Sequence, residues 1–188
     1  MANEKVTAKE VAKWFIDRAA QDVKANSGEY LTQLKLQKLM YYAKGFYYVF
    51  EDEKLFDAAI YSQKYGPVVS ELVSDLKIYK NDQIKKEFQK ERPIKDASVL
   101  YVLDFVYKFV AQYSAGKLID FTHSEAPWQQ TVEKHQINED LIKKYFRSTY
   151  LDNFNQNNQL NIKQQDIFNT AYLNILHTYK PAFEELAK

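Results

Sequence analysis

The sequence predicts a mainly α fold: a single compact, bundle-like helical domain with a small β hairpin or short strands near residues 55–65. Apolar side chains recur in steps of three and four through much of the chain, the spacing of one face of a helix. Several of these runs open on a residue able to cap a helix, among them Thr7, Thr32, Ser98 and Asn138. Length bounds the rest, because 188 residues suffice for one well-buried core and fall short of two. The expected organisation is a helical domain over 1–150. A linker rich in Asn and Gln and a C-terminal helix follow over 151–188, packing on the domain or on a partner.

The segment from Leu31 to Phe50 is the expected organiser. Leu36, Leu39, Met40, Ala43, Phe46, Tyr47 and Phe50 make one wide apolar face, and Gln33, Lys35, Gln37, Lys38 and Lys44 fall on the other. Thr32 suits the N-cap, with Leu31 and Leu36 at the spacing of a hydrophobic staple. Ahead of it, Thr7 and Glu10 form a capping box for a helix carrying Val11, Phe15, Ala19 and Val23, which Asn26-Ser27-Gly28 stops; Trp14 and Ile16 lie off that stripe.

After a polar turn at 51–54, Leu55 to Tyr65 reads as extended. Gly66 can take a positive φ and Pro67 suits a first helical position, so a helix is expected through Val68, Val69, Leu72, Val73, Leu76 and Tyr79. Residues 81–96 are charged and form a surface connection. Ser98 then caps an apolar helix with Leu103, Val106, Phe109, Val110 and Tyr113 inward. Shorter helices follow over about 115–121, 129–135 and 139–149. Asn or Gln fills nine of the thirteen positions from Asn153 to Gln165, too little apolar area to hold a fixed fold alone, and a last helix runs from Ile162 to about Ala187.

Composition narrows the function. Twenty-six basic against 25 acidic residues leave a charge of +1, which argues against a nonspecific nucleic-acid binder; the cluster Lys85, Lys86, Lys90, Arg92 and Lys95 is broken by Glu87, Glu91 and Asp96 into a mixed-charge face. The absence of cysteine removes disulfides, thiolate nucleophiles and Cys-ligated zinc. No apolar run approaches the ~20 residues that span a bilayer, and the N-terminus lacks a secretory signal, so a cytoplasmic protein is expected. No cofactor is expected.

With three histidines, four glycines and no GxSxG, HExxH or phosphate loop, the usual catalytic anchors are missing. The densest polar cluster is Asp120, Thr122, His123, Ser124 and Glu125, directly before Pro127-Trp128. His123 and Glu125 could serve as an acid/base or metal pair. Alternatively, the cluster is a buried turn in which Ser124 or Thr122 caps the next helix and Trp128 packs on the core. Tyr41, Tyr42, Tyr47 and Tyr48 suit a core edge or an interface.

Four ordered segments resemble the Panacea domain, the family of the SocA-like and phage-associated proteins, many of them antitoxins. They are Val11-Ala12-Lys13-Trp14-Phe15-Ile16; Leu34-Lys35-Leu36-Gln37-Lys38-Leu39 with Tyr41 or Tyr42 and Ala43; Tyr65-Gly66-Pro67-Val68; and Thr122-His123-Ser124-Glu125-Ala126-Pro127-Trp128. The resemblance covers roughly residues 6–135 and departs from the family at Ala126, where Gly is usual. It implies an α-rich binding module, carried on phages or mobile elements, that neutralises a toxin protein encoded by a neighbouring gene. SocA-like members instead deliver a toxin to a protease, and a small enzyme using His123 and Glu125 is the remaining alternative. The positions matching the family motifs are Lys35, Gln37, Lys38, Tyr65, His123, Glu125 and Trp128. The expected contact surface combines the exposed side of the 31–50 helix, the 60–68 turn and the 122–128 segment. Oligomeric state stays open, a homodimer included.

Overall fold

Thr7 caps the first helix as its sequence dictates: its hydroxyl accepts from the Glu10 N–H, and the Glu10 carboxylate accepts from the Thr7 N–H at 2.8 Å. The computed structural model of the chain describes residues 5–85 and 94–152. Helix α1 (Ala8–Lys24) ends at Ala25, followed by Asn26 at φ 55°, a left-handed residue of the kind that closes helices. Ile16, off the predicted stripe, is nevertheless buried, and Trp14 sits edge-on to Phe15 and Tyr107.

Helix α2 (Gln33–Phe50) is the organiser, with Thr32 as its N-cap. It packs against α1, β2 (Gly66–Val69), α4 (Ala97–Phe109), α5 (Ala115–His123) and α7 (Glu139–Phe146). Enclosed on all sides, it is buried at every position from Leu36 to Val49, including Gln37, Lys38 and Lys44. The polar face expected of this helix is therefore interior, and its polar groups are satisfied by other parts of the chain.

Strand β1 (Ile60–Gln63) pairs antiparallel with β2, Gln63 opposite Gly66, across the turn Lys64-Tyr65. The expected strands thus form a hairpin that runs on to Val69, and Pro67 lies within β2 instead of opening a helix. Pro67 stands opposite Ser62, whose N–H turns away from β2 to the His135 carbonyl, so no inter-strand bond needs the N–H that proline lacks. Gly66 takes φ +91°; a Cβ there would come within 2.6 Å of the Thr122 hydroxyl oxygen and 2.8 Å of Lys38 Nζ. The predicted single helix over 68–79 is a 3-10 turn at Ser70–Leu72, the one-turn α3 (Val73–Leu76) and a 3-10 turn at Lys77–Tyr79. Leu72 and Leu76 point inward, whereas Val73 is exposed.

Asp96, not Ser98, caps α4 by accepting from the Val99 N–H. Helix α5 runs two residues beyond its expected end. The one-turn α6 (Ala126–Gln129) carries Pro127 in its first turn; its N-cap position is Glu125, whose side chain makes no capping bond. In place of the helix expected over 129–135, residues 134–137 run beside β1, where Ile137 N–H and Lys134 N–H donate to the Ile60 and Ser62 carbonyls. At the centre, the Tyr41, Tyr42 and Phe46 rings of α2 pack against Phe146, and Phe46 also against Phe105 of α4; Phe146 fills the notch at Gly45, where a Cβ would overlap its ring. The chain divides into two compact units after Phe146. The described start of the second is a π-helical turn, Arg147–Asp152. The Asn/Gln-rich linker and tail helix lie outside the described residues, as does the centre of the 81–96 connection.

Candidate functional site

The motif residues converge where α2 meets the hairpin and the α5–α6 junction. Two consecutive side chains of α2 complete the outer edge of β2. The Gln37 amide pairs with Val69 in both directions, accepting from its N–H at 2.8 Å and donating to its carbonyl at 3.4 Å. Lys38 Nζ donates to the Pro67 carbonyl at 3.0 Å. A free strand edge would invite pairing with another chain. Here β2 is closed by Gln37 and Lys38, and β1 by residues 134–137, so strand addition is not an available mode of recognition at this hairpin.

Glu125 lies deeper. Its carboxylate accepts from the Tyr41 and Tyr42 hydroxyls, both at 2.7 Å, and is sealed from water. Burial pushes this carboxyl up to about 7, against the two tyrosine bonds that favour its charged form. Burial likewise pushes the Lys38 ammonium down to about 7. The tyrosines stand three and four residues after Lys38 and so share its side of α2.

His123 and Trp128 stack face to face, ring centres 3.9 Å apart, and the indole N–H donates to the Gln63 carbonyl at 3.0 Å. Both rings are half-buried, the His123 Nε2 inaccessible, and the stack is tied to the hairpin, whose tip residue Tyr65 is 56% exposed. Lys64 stands over the Tyr65 ring at 5.4 Å. Of the seven predicted positions, then, Tyr65 is exposed at the hairpin tip, and His123 and Trp128 are partly exposed and tied to the same hairpin through the Gln63 carbonyl. Gln37, Lys38 and Glu125 are interior, and Lys35 is a half-buried residue of the first turn of α2, its ammonium lowered by burial. His123 and Glu125 are not a joined pair: the carboxylate is bonded to the tyrosines and the imidazole is stacked on Trp128. Among the described residues no group of His, Asp or Glu could hold a metal ion, and no helix is long and apolar enough to cross a membrane.

Sequence reasoning missed a second polar cluster. Lys44, fully buried, donates to the Ala58 carbonyl at 3.0 Å and pairs with Glu139 at 2.7 Å; Lys54 holds the other carboxylate oxygen at 2.6 Å. Burial raises the Glu139 carboxyl, but the bonds and charges of the two lysines outweigh it and hold the group below the usual range. Val132, 70% exposed just before the segment that lines β1, was also missed. Lys44, Lys54 and Glu139 had no local signal, since their partners lie far along the chain.

The model of the antitoxin SocA-like, Panacea domain family matches residues 36–129, half of the chain. The chain belongs to this family. The match holds Gln37 and Lys38, the hairpin and the whole His123–Trp128 segment, and begins after α1 and Lys35. Membership carries an antitoxin-type role, with a toxin as the general kind of partner, and suggests a non-catalytic protein. No curated protein and no solved structure matches the chain.

Proposed function

We infer that this chain is a cytoplasmic antitoxin that neutralises a toxin protein, encoded by a neighbouring gene, through direct contact at the hairpin tip and the α5–α6 junction. The reading is supported by exposed Tyr65 at the hairpin tip and by the partly exposed His123–Trp128 stack, which the bond from Trp128 to the Gln63 carbonyl ties to the same hairpin. Aromatic side chains with a polar handle are what partner surfaces favour. With the strand edges closed, recognition here is by side chains. The reading needs no catalytic residue, and an enzyme built on His123 and Glu125 is disfavoured because the carboxylate is sealed behind Tyr41 and Tyr42.

The test is co-expression of the tagged chain with the product of its adjacent gene, read by pull-down and by growth. The expected result is a stoichiometric complex, restored growth and an undiminished toxin level. Rescue accompanied by protease-dependent loss of the toxin would replace neutralisation by delivery for proteolysis. Continued arrest with no complex would sink the reading for that pair.

A further inference from the structure

Helix α2 buries two lysines, and they are treated differently. Lys44 has a counter-charge, Glu139 at 2.7 Å, besides the Ala58 carbonyl. Lys38 is equally inaccessible, yet among the described residues no carboxylate lies within ion-pair distance, and its one hydrogen bond goes to the Pro67 carbonyl. A buried amine with a single neutral acceptor opposes folding, because its remaining donors and its charge have lost water without replacement. Burial alone accounts for its lowered proton affinity; no charged group contributes. An apolar side chain would fill the same space at no such cost.

What the amine does is local. It meets the hairpin where β2 begins: a Cβ on Gly66 would stand 2.8 Å from Nζ and 3.0 Å from Cε, so glycine at 66 and lysine at 38 are fitted to each other. It holds the carbonyl of the next residue, directly behind the Lys64-Tyr65 turn. Gln37 fixes the far end of the strand at Val69.

We propose that Lys38 is a positioning residue of the contact surface, kept at a cost to folding because its grip on the Pro67 carbonyl sets how the hairpin tip is presented. This rests on the contact surface inferred above. Without the amine, the Pro67 carbonyl gains a bond only by turning toward water, which loosens the tip while the core is relieved of a buried donor.

The test compares wild type with Lys38→Met, both carrying Trp14→Phe so that Trp128 alone reports. Lys38→Met is expected to raise the thermal midpoint at pH 7 by about 2 °C or more. The gain should shrink as pH rises toward 10.5, because the native lysine takes up protons less readily than the unfolded one and so penalises folding less at alkaline pH. The amides of Val68 and Val69 should exchange at least about tenfold faster and Trp128 emission should shift to the red. Affinity for the toxin encoded by the adjacent gene should fall by about tenfold or more, the size of one lost buried hydrogen bond. An unchanged or lower midpoint, wild-type exchange and emission, or wild-type affinity in the variant would each overturn the proposal. If wild type itself fails to bind that toxin, the antitoxin reading fails, while midpoint, exchange and emission still decide whether Lys38 positions the hairpin.

Discussion

Glu139→Ala is expected to lower the unfolding free energy by about 3–5 kcal/mol, because it strands Lys44, fully buried, without a counter-charge in contact among the described residues, leaving it the Ala58 carbonyl and the face of the Phe56 ring. The same change leaves Lys54 with Asp57 at 3.7 Å, and the lost Lys54–Glu139 pair lies nearer the surface and contributes little by itself. Changing both partners should behave differently. Lys44→Met combined with Glu139→Leu removes the charge along with its counter-charge, and should stay within about 1 kcal/mol of wild type or exceed it. The pH dependence follows from the carboxyl being held below its usual range. Its contribution is present above the unfolded value near 4.5 and is lost as pH falls through the lower folded value. Urea titrations of the three proteins at pH 7 and pH 4 check all of this. A single variant within 1 kcal/mol of wild type at pH 7 would show that Lys44 finds water or another acceptor.

Phe146→Ala should cost about 3–5 kcal/mol, the range for deleting a fully buried aromatic side chain. The ring is edge-on to Tyr41, Tyr42 and Phe46 at 5.4, 6.0 and 5.4 Å, and it occupies the notch that Gly45 leaves on α2. Gly45→Ala alone should therefore also destabilise, by about 1–3 kcal/mol, since the new Cβ overlaps the ring. Together the two changes should cost less than their sum, because the added methyl enters space that the ring has vacated. Additive losses in the double-mutant cycle would mean that Gly45 is required for some other reason.

These two sites mark the boundary of what the residues alone could reveal. The helices α1 and α2 and their starts were legible because the Thr7–Glu10 capping box and the Thr32 N-cap with its Leu31–Leu36 staple are local signals, and the apolar stripe of α2 pointed to its core role. The interior position of Gln37, Lys38 and Lys44 was not legible: their partners are carbonyls and a carboxylate 14 to 95 residues away, and a lysine on a helix gives no sign of which carbonyl will receive it. The segment from Thr122 to Trp128 was recognisable as a motif, yet the tyrosines that seal Glu125 lie 83 and 84 residues before it. Pro67 was ambiguous on physical grounds, because a missing N–H suits both the first turn of a helix and an unpaired strand position. His123 and Glu125 looked like a pair by spacing, but the backbone between them sends the imidazole onto Trp128 and the carboxylate into the core.

The central claim is that the hairpin tip and the His123–Trp128 stack are the toxin-binding surface, and amide hydrogen exchange of the chain, free and in complex with the toxin encoded beside it, tests it most directly. Protection on binding should concentrate in the Lys64-Tyr65 turn and in residues 123–132, with the already buried backbone of α2 unchanged. Protection confined instead to the exposed face around Val73 and Ile78, with the hairpin turn exchanging as in the free chain, would contradict the account.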